Sequence, residues 1–230
     1  MDLNFLTDFR IEWNKRWKQR EGTICLNIQM LRKFFRFCEK LGFVERNLAG
    51  DLEMPKAKSR PTLPFSTEEW RRILEAFPLY EKRAGRAAAS RLRAFVLLLR
   101  FSGMRIGDAV RSEASWIEGN RISFVSQTTS VYVCNKLPDD VIEALRIVPV
   151  RDGRYFFWTG ASTPHSTVGK GQRRLQVLFE LASIRGGHAR RFRNSYAHDL
   201  AVNGQMTLGE IKQALGHKTT RTVLLSLAQR

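Results

Sequence analysis

The stretch from Gly187 to Gln213, GHARRFRNSYAHDLAVNGQMTLGEIKQ, constrains the fold most, and it runs straight into ALGHKTT. His188, Arg190, Arg191 and Arg193 crowd its first residues. An amphipathic helix follows, ending at the Asn203-Gly204 turn signal. A second helix is expected to open on Thr207 and to close at Leu215-Gly216-His217.

The chain is strongly basic: 39 Lys plus Arg against 22 Asp plus Glu gives a formal charge of +17 over 230 residues. The excess is not confined to a tail. Residues 1–65 carry 13 − 8 = +5 and residues 66–230 carry 26 − 14 = +12. Such a balance suits a protein that neutralises phosphates and releases counterions on binding nucleic acid. A hydrophobic content of 43% argues against a disordered chain and supports one or two packed domains. Cys25, Cys38 and Cys134 lie far apart without metal-ligand spacing, so neither a disulfide framework nor a metal site is expected, and a reducing cytoplasm fits. The longest apolar run, Ala94 to Leu99, is too short to span a bilayer, and the first residues lack a signal pattern. No membrane partner, cofactor or small-molecule ligand is expected.

Residues 1–54 read as helical. Cys25-Leu26, Met30-Leu31, Phe34-Phe35 and Cys38 recur at helical spacing and are expected to form one apolar face. Arg32, Lys33 and Arg36 fall off that face, where they could meet phosphates. Residues 55–65, PKAKSRPTLPF, are Pro-rich and basic and read as an extended linker, with Lys56 and Lys58 as further phosphate contacts. Ser66 and Glu69 form a capping-box pattern that starts a helix through Phe77 and opens a second domain, residues 66–230.

Arg91 to Arg100, RLRAFVLLLR, is expected to be a buried helix leading to Ser102-Gly103-Met104-Arg105-Ile106-Gly107-Asp108. Gly103 permits a tight turn, and Asp108 stands where it could hold Arg105. Residues 121–134 alternate about Gln127-Thr128-Thr129-Ser130 and read as a β-hairpin, followed by a helix over Asp139–Arg146. Tyr155 to Trp158 reads as aromatic core, and residues 169–184 as an amphipathic helix with Leu175, Leu178, Phe179 and Ala182 inward.

Taken together, the RFSGMRIGDAV segment, the basic cluster before SYAHDL and the Leu215-Gly216-His217 ending resemble the catalytic core of the tyrosine recombinase (phage integrase) family. The resemblance implies a mainly α fold with a small β-hairpin or sheet. It also implies a truncated helical core-binding domain, a tyrosine-recombinase-like catalytic domain, double-stranded DNA as partner, and tetrameric assembly with other recombinase subunits on DNA. It casts Arg105, Arg193 and His217 as phosphate-holding groups. Planar guanidinium groups suit that task, since they bind phosphate oxygens bidentately. Two registers compete at the second arginine. The pair His188 and Arg191 has the family's His-x-x-Arg spacing, whereas the phase of Ser195-Tyr196-Ala197 and Leu200 favours Arg193 and puts Arg190 at the usual histidine. In that register His188 and Arg191 are neighbours available to DNA.

Three family positions are substituted. The lysine expected on the hairpin is Thr128, which carries no charge and cannot usefully protonate a leaving alkoxide. The histidine position is Arg190. The nucleophilic tyrosine falls at the ninth or tenth residue past His217, and these are Ser226 and Leu227. All four tyrosines, Tyr80, Tyr132, Tyr155 and Tyr196, precede His217. The expectation is an integrase-like protein of DNA integration and site-specific recombination with impaired cleavage. The alternative is a non-catalytic DNA-binding accessory protein or a decayed mobile-element remnant.

Overall fold

The computed structural model describes residues 3–17, 21–55, 62–150, 154–202 and 206–227. The chain divides into two compact units, residues 1–61 and 62–230.

In the first unit, α1 (Leu3–Trp17) and α2 (Glu21–Lys40) precede a 3-10 turn at Leu48–Asp51. Gly42, at φ 75°, ends α2, and Phe43 N–H donates back to the Cys38 carbonyl. The unit's core is Leu6, Ile28, Phe35, Ala49 and Leu52. The inward face of α2 is therefore rotated from the one expected. Ile28, Phe35 and Cys38 are buried, whereas Leu26, Met30 and Phe34 are exposed. The helix carries apolar residues on two sides, and spacing alone does not say which side meets the 3-10 turn. Arg32 also departs from expectation. Its Nε donates to Ala49 O (3.2 Å) and its Nη2 to Leu52 O (2.8 Å), so it ties the 3-10 turn to α2. Lys33 and Arg36 are exposed, and Lys56 and Lys58 lie outside the described residues.

The second unit begins with residues 62–65, which the sequence places in the linker but which pack into this unit. Phe65 is buried against Phe179 and Phe192, and its N–H donates to Ser195 Oγ. The capping box forms as expected, with Ser66 Oγ accepting from Glu69 N–H and Glu69 accepting from Ser66 N–H. It starts α3 (Thr67–Glu75), and Ala76 separates this from α4 (Phe77–Ala84), which has proline in its first turn. The long helix α5 (Arg86–Ser102) is buried continuously from Ala94 to Leu99 and packs against α4, α7 and α9. Full burial of each of its Phe, Val and Leu side chains contributes about 1.5–3 kcal/mol, which makes α5 the axis of the unit.

Gly103 ends α5 in the left-handed region (φ 63°), and the single turn α6 (Ile106–Ala109) follows. The antiparallel sheet β1 (Ile117–Glu118), β2 (Arg121–Val125), β3 (Tyr132–Lys136) has the order β1-β2-β3. In the β2–β3 register Phe124 faces Val133 and Ile122 faces Asn135. Helix α7 (Asp139–Ile147) matches expectation. The aromatic segment is core, with Phe156 buried and Phe157 edge-on to Phe95. Helix α8 spans Pro164–Leu181, starting before the expected residue 169. Thr163 Oγ1 caps it by accepting from Ser166 N–H, and Pro164 occupies the first turn, where a missing N–H does no harm. Helices α9 (Ala189–Val202), α10 (Leu208–Ala214) and α11 (Thr220–Leu227) complete the unit around Ala197, Ile211, Leu215 and Val223. The Asn203-Gly204 turn signal lies outside the described residues. Among the described residues no helix is long and apolar enough to cross a membrane, and no cluster of His, Cys, Asp and Glu could hold a metal ion.

Candidate nucleic-acid interface

Three chain segments deliver the site: the α5–α6 turn brings Arg105, the first half of α9 brings Arg190 and Arg193, and the end of α10 brings His217. Each turn is built by a residue suited to it. At Gly103 an added Cβ would lie 2.3 Å from the Tyr196 ring, so only glycine admits both the left-handed backbone and that packing. Gly216, at φ 59°, would put a Cβ 2.8 Å from Val133 Cγ2. The Thr207–Glu210 capping box fixes the start of α10, one short helix before His217.

These side chains share one electrostatic neighbourhood. Burial, followed by the cations of Arg193, Arg105 and Arg190, pushes the His217 imidazole down to about 4, so the ring is neutral at pH 7. His217 is 5% exposed, and its Nδ1 is buried without a hydrogen-bond partner. Burial and then Arg105 push the Arg193 guanidinium down to about 9, with Asp108 opposing. Arg105 is lowered by burial, again opposed by Asp108. Asp108 is the one carboxylate acting on these arginines among the described residues.

Asp108 does not grip Arg105 directly. Its Oδ2 accepts from Ser126 Oγ–H (3.1 Å) and its Oδ1 from Gln127 N–H (3.1 Å), while Arg105 Nη1 donates to Ser126 Oγ (3.3 Å). A buried hydroxyl, absent from the sequence expectation, thus links the arginine to its acid. Ser126 stands where strand alternation stops, and nothing local marks it out.

Arg193 and Arg191 separate clearly. Arg193 is 9% exposed; its Nη1 donates to Gly103 O (2.6 Å) and its Nη2 to Leu215 O, so it bridges the two turns that carry Arg105 and His217. Arg191, expected as a DNA neighbour or as the alternative phosphate arginine, points elsewhere. Its Nη2 and Nη1 pair with Glu69 (2.6 and 2.9 Å), its Nε donates to Leu63 O and its Nη2 to Pro64 O, and it lies over the Phe65 ring. That guanidinium fastens the segment before α3 and has little left for a phosphate. His188 is exposed, and its imidazole is lowered by burial and by Arg191 and Arg190. Arg190 is exposed beside the cluster.

The substituted positions sit as follows. Thr128 is exposed in the hairpin turn. Leu227, on α11, is half-buried against the cluster of Ala197, Ile211, Leu215 and Val223. Ser226 lies on the same helix; the placement of its side chain falls outside the description.

The fold, mainly helical with a small three-stranded antiparallel sheet, is the one found in solved integrase and recombinase structures. A lambda integrase dimer bound to a COC' core site superposes on the whole chain and on 81% of its own, with a TM-score of 0.77 at 16% identity. XerH site-specific recombinase bound to difH substrate in a pre-cleavage complex gives a TM-score of 0.71 at 20% identity, covering 98% of this chain and 67% of that one. XerA recombinase gives 0.58 at 19% identity, covering 98% and 77%. No family model and no curated protein matches the chain.

Proposed function

We propose that this protein binds double-stranded DNA through the Arg105, Arg190, Arg193 and His217 cluster, which receives one backbone phosphate, and that it is a tyrosine-recombinase-like protein impaired in strand cleavage. The observation that carries the reading is the cluster itself. Three arginines surround a buried, unpartnered ring nitrogen, and Asp108, the carboxylate that acts on Arg105 and Arg193, is already engaged by Ser126 and Gln127. Cations in excess of their carboxylate around an orphaned polar atom are what a phosphate oxyanion would relieve. A phosphorane in flight needs several fixed donors about its oxygens, and these groups would supply them.

The chemistry of attack is another matter. Thr128 supplies no general acid, Arg190 replaces a proton-transferring imidazole with a permanently charged group, and Leu227 supplies no nucleophile. Among the solved relatives, lambda integrase forms a dimer on a core site and a tetramer on a Holliday junction. We take duplex DNA, with further copies of the chain upon it, as the corresponding partners here, serving recombination-site binding within DNA integration.

The test is the salt dependence of duplex binding. Arg105→Ala should weaken binding and lower the slope of log K against log salt by about one phosphate contact. An unchanged slope and affinity would remove Arg105, and with it the site, from the interface.

A further inference from the structure

One residue of the sheet breaks the pattern of its strand. Ile122, Phe124 and Val133 point inward and are buried, and the next inward position of β3 is Asn135, 5% exposed. A buried amide at a core-facing strand position is unfavourable unless its donors are satisfied. Here a single nitrogen, Asn135 Nδ2, donates to Ser102 O (2.9 Å) and to Ala214 O (2.8 Å).

Those two acceptors are not arbitrary. Ser102 is the last residue of α5 and Ala214 the last of α10, so both carbonyls belong to helix ends that lack intrahelical partners. Arg193 donates to the carbonyl one residue past each of them, Gly103 O and Leu215 O. The two side chains form successive rungs between the same two helix ends. Arg105 stands three residues past Ser102, and His217 three residues past Ala214. The hairpin is fastened to the α10 end at other points: Thr129 Oγ1 donates to Gly216 O (2.9 Å), and Gln213 Nε2 donates to Tyr132 O (2.8 Å).

We infer that Asn135 is a positioning residue for the phosphate site: it sets the spacing between the turns carrying Arg105 and His217, leaving Arg193 free to turn toward a phosphate without the two turns parting. The inference deepens the DNA-phosphate reading and rests on it for its functional meaning. Without the Asn135 rung, Arg193 would be the one side chain donating to both helix ends, the remaining ties running through the hairpin, and any bond Arg193 gave a phosphate would come at the expense of that bridge. The neutral amide suits the task. It satisfies both carbonyls without adding charge beside three arginines.

The test uses the full chain with Asn135→Leu, which keeps the branched outline with added bulk and removes both donors, and Asn135→Ser, which is smaller and keeps one. Two readouts are taken at low temperature on folded protein: the His217 ring titration by NMR without DNA, and duplex binding against salt. In the Leu variant the His217 midpoint should rise from about 4 toward its ordinary 6.5, as the turns separate and water and distance weaken the three cations. Duplex affinity should fall about tenfold, the size of one misplaced charged hydrogen bond. Asn135→Ser should fall between Leu and parent in both, and it carries the test if the Leu variant does not fold. A His217 midpoint and duplex affinity equal to the parent's in a folded variant would overturn the inference. A shifted midpoint in a protein whose parent binds no duplex would uphold the spacing role and sink the DNA reading instead.

Discussion

Acid should destabilise this protein through His217, with a sign and an approximate size that follow from the ring's surroundings. The folded ring is held near 4 by burial and by Arg193, Arg105 and Arg190, whereas the unfolded chain returns it to 6.5. Above 6.5 both states hold a neutral ring, and this group adds no pH dependence. Between 6.5 and about 4 only the unfolded state takes the proton, so stability falls with falling pH; below 4 both states are protonated and the loss levels off. At 1.36 kcal/mol per pH unit, the drop from 6.5 to about 4 corresponds to about 3 kcal/mol, a large share of an ordinary domain's stability. Urea unfolding from pH 7.5 to 3.5, on parent and His217→Gln in parallel, measures it. Glu69 and Glu210, whose carboxyls are held low in the folded state, also lose stabilisation in acid, but they do so in both proteins and cancel in the difference. The difference should grow by about 3 kcal/mol across the window and shrink when inorganic phosphate is added, because an anion among the three cations favours the protonated ring. A flat difference would refute the reasoning. So would one of opposite sign, which would place His217 beside a carboxylate.

Two further substitutions probe the supports of the site. Gly103→Ala combines a left-handed backbone with a Cβ 2.3 Å from the Tyr196 ring, and should cost about 2–4 kcal/mol in urea unfolding; a loss under about 1 kcal/mol would mean the α5–α6 turn relaxes freely. Arg191→Ala leaves the half-buried Glu69 without its guanidinium partner, frees the Leu63 and Pro64 carbonyls, and should cost about 3 kcal/mol while leaving the salt slope of DNA binding untouched. A reduced slope with intact stability would instead restore Arg191 as a phosphate contact.

The sequence exposes those parts of the fold that rest on local rules. Ser66 and Glu69 announce α3, the run from Ala94 to Leu99 announces a buried helix, and strand alternation announces the hairpin. The basic cluster and the glycine turns point to the arginines that the fold gathers. What stayed hidden depends on partners distant in sequence. Arg191 and Arg193 are both arginines on one helical turn, and only the packing of residues 63–69 against α9 assigns one to Glu69 and the other to the two helix ends. Asn135 carried a faint signal, a polar residue in the inward phase of a strand, but its two acceptors come from opposite sides of the chain. Ser126 carried none. On α2, apolar residues occupy two sides, and the periodicity cannot choose between Phe34 and Phe35.

The site should hold phosphate without cutting the strand. A pool of nicked suicide duplexes, incubated with the protein and resolved on a denaturing gel beside a salt titration of binding, separates the two activities. Salt-sensitive binding that Arg105→Ala weakens, with no covalent protein–DNA adduct, is the expected result. A covalent adduct would contradict the account, and mass spectrometry of the linked peptide would identify the nucleophile responsible.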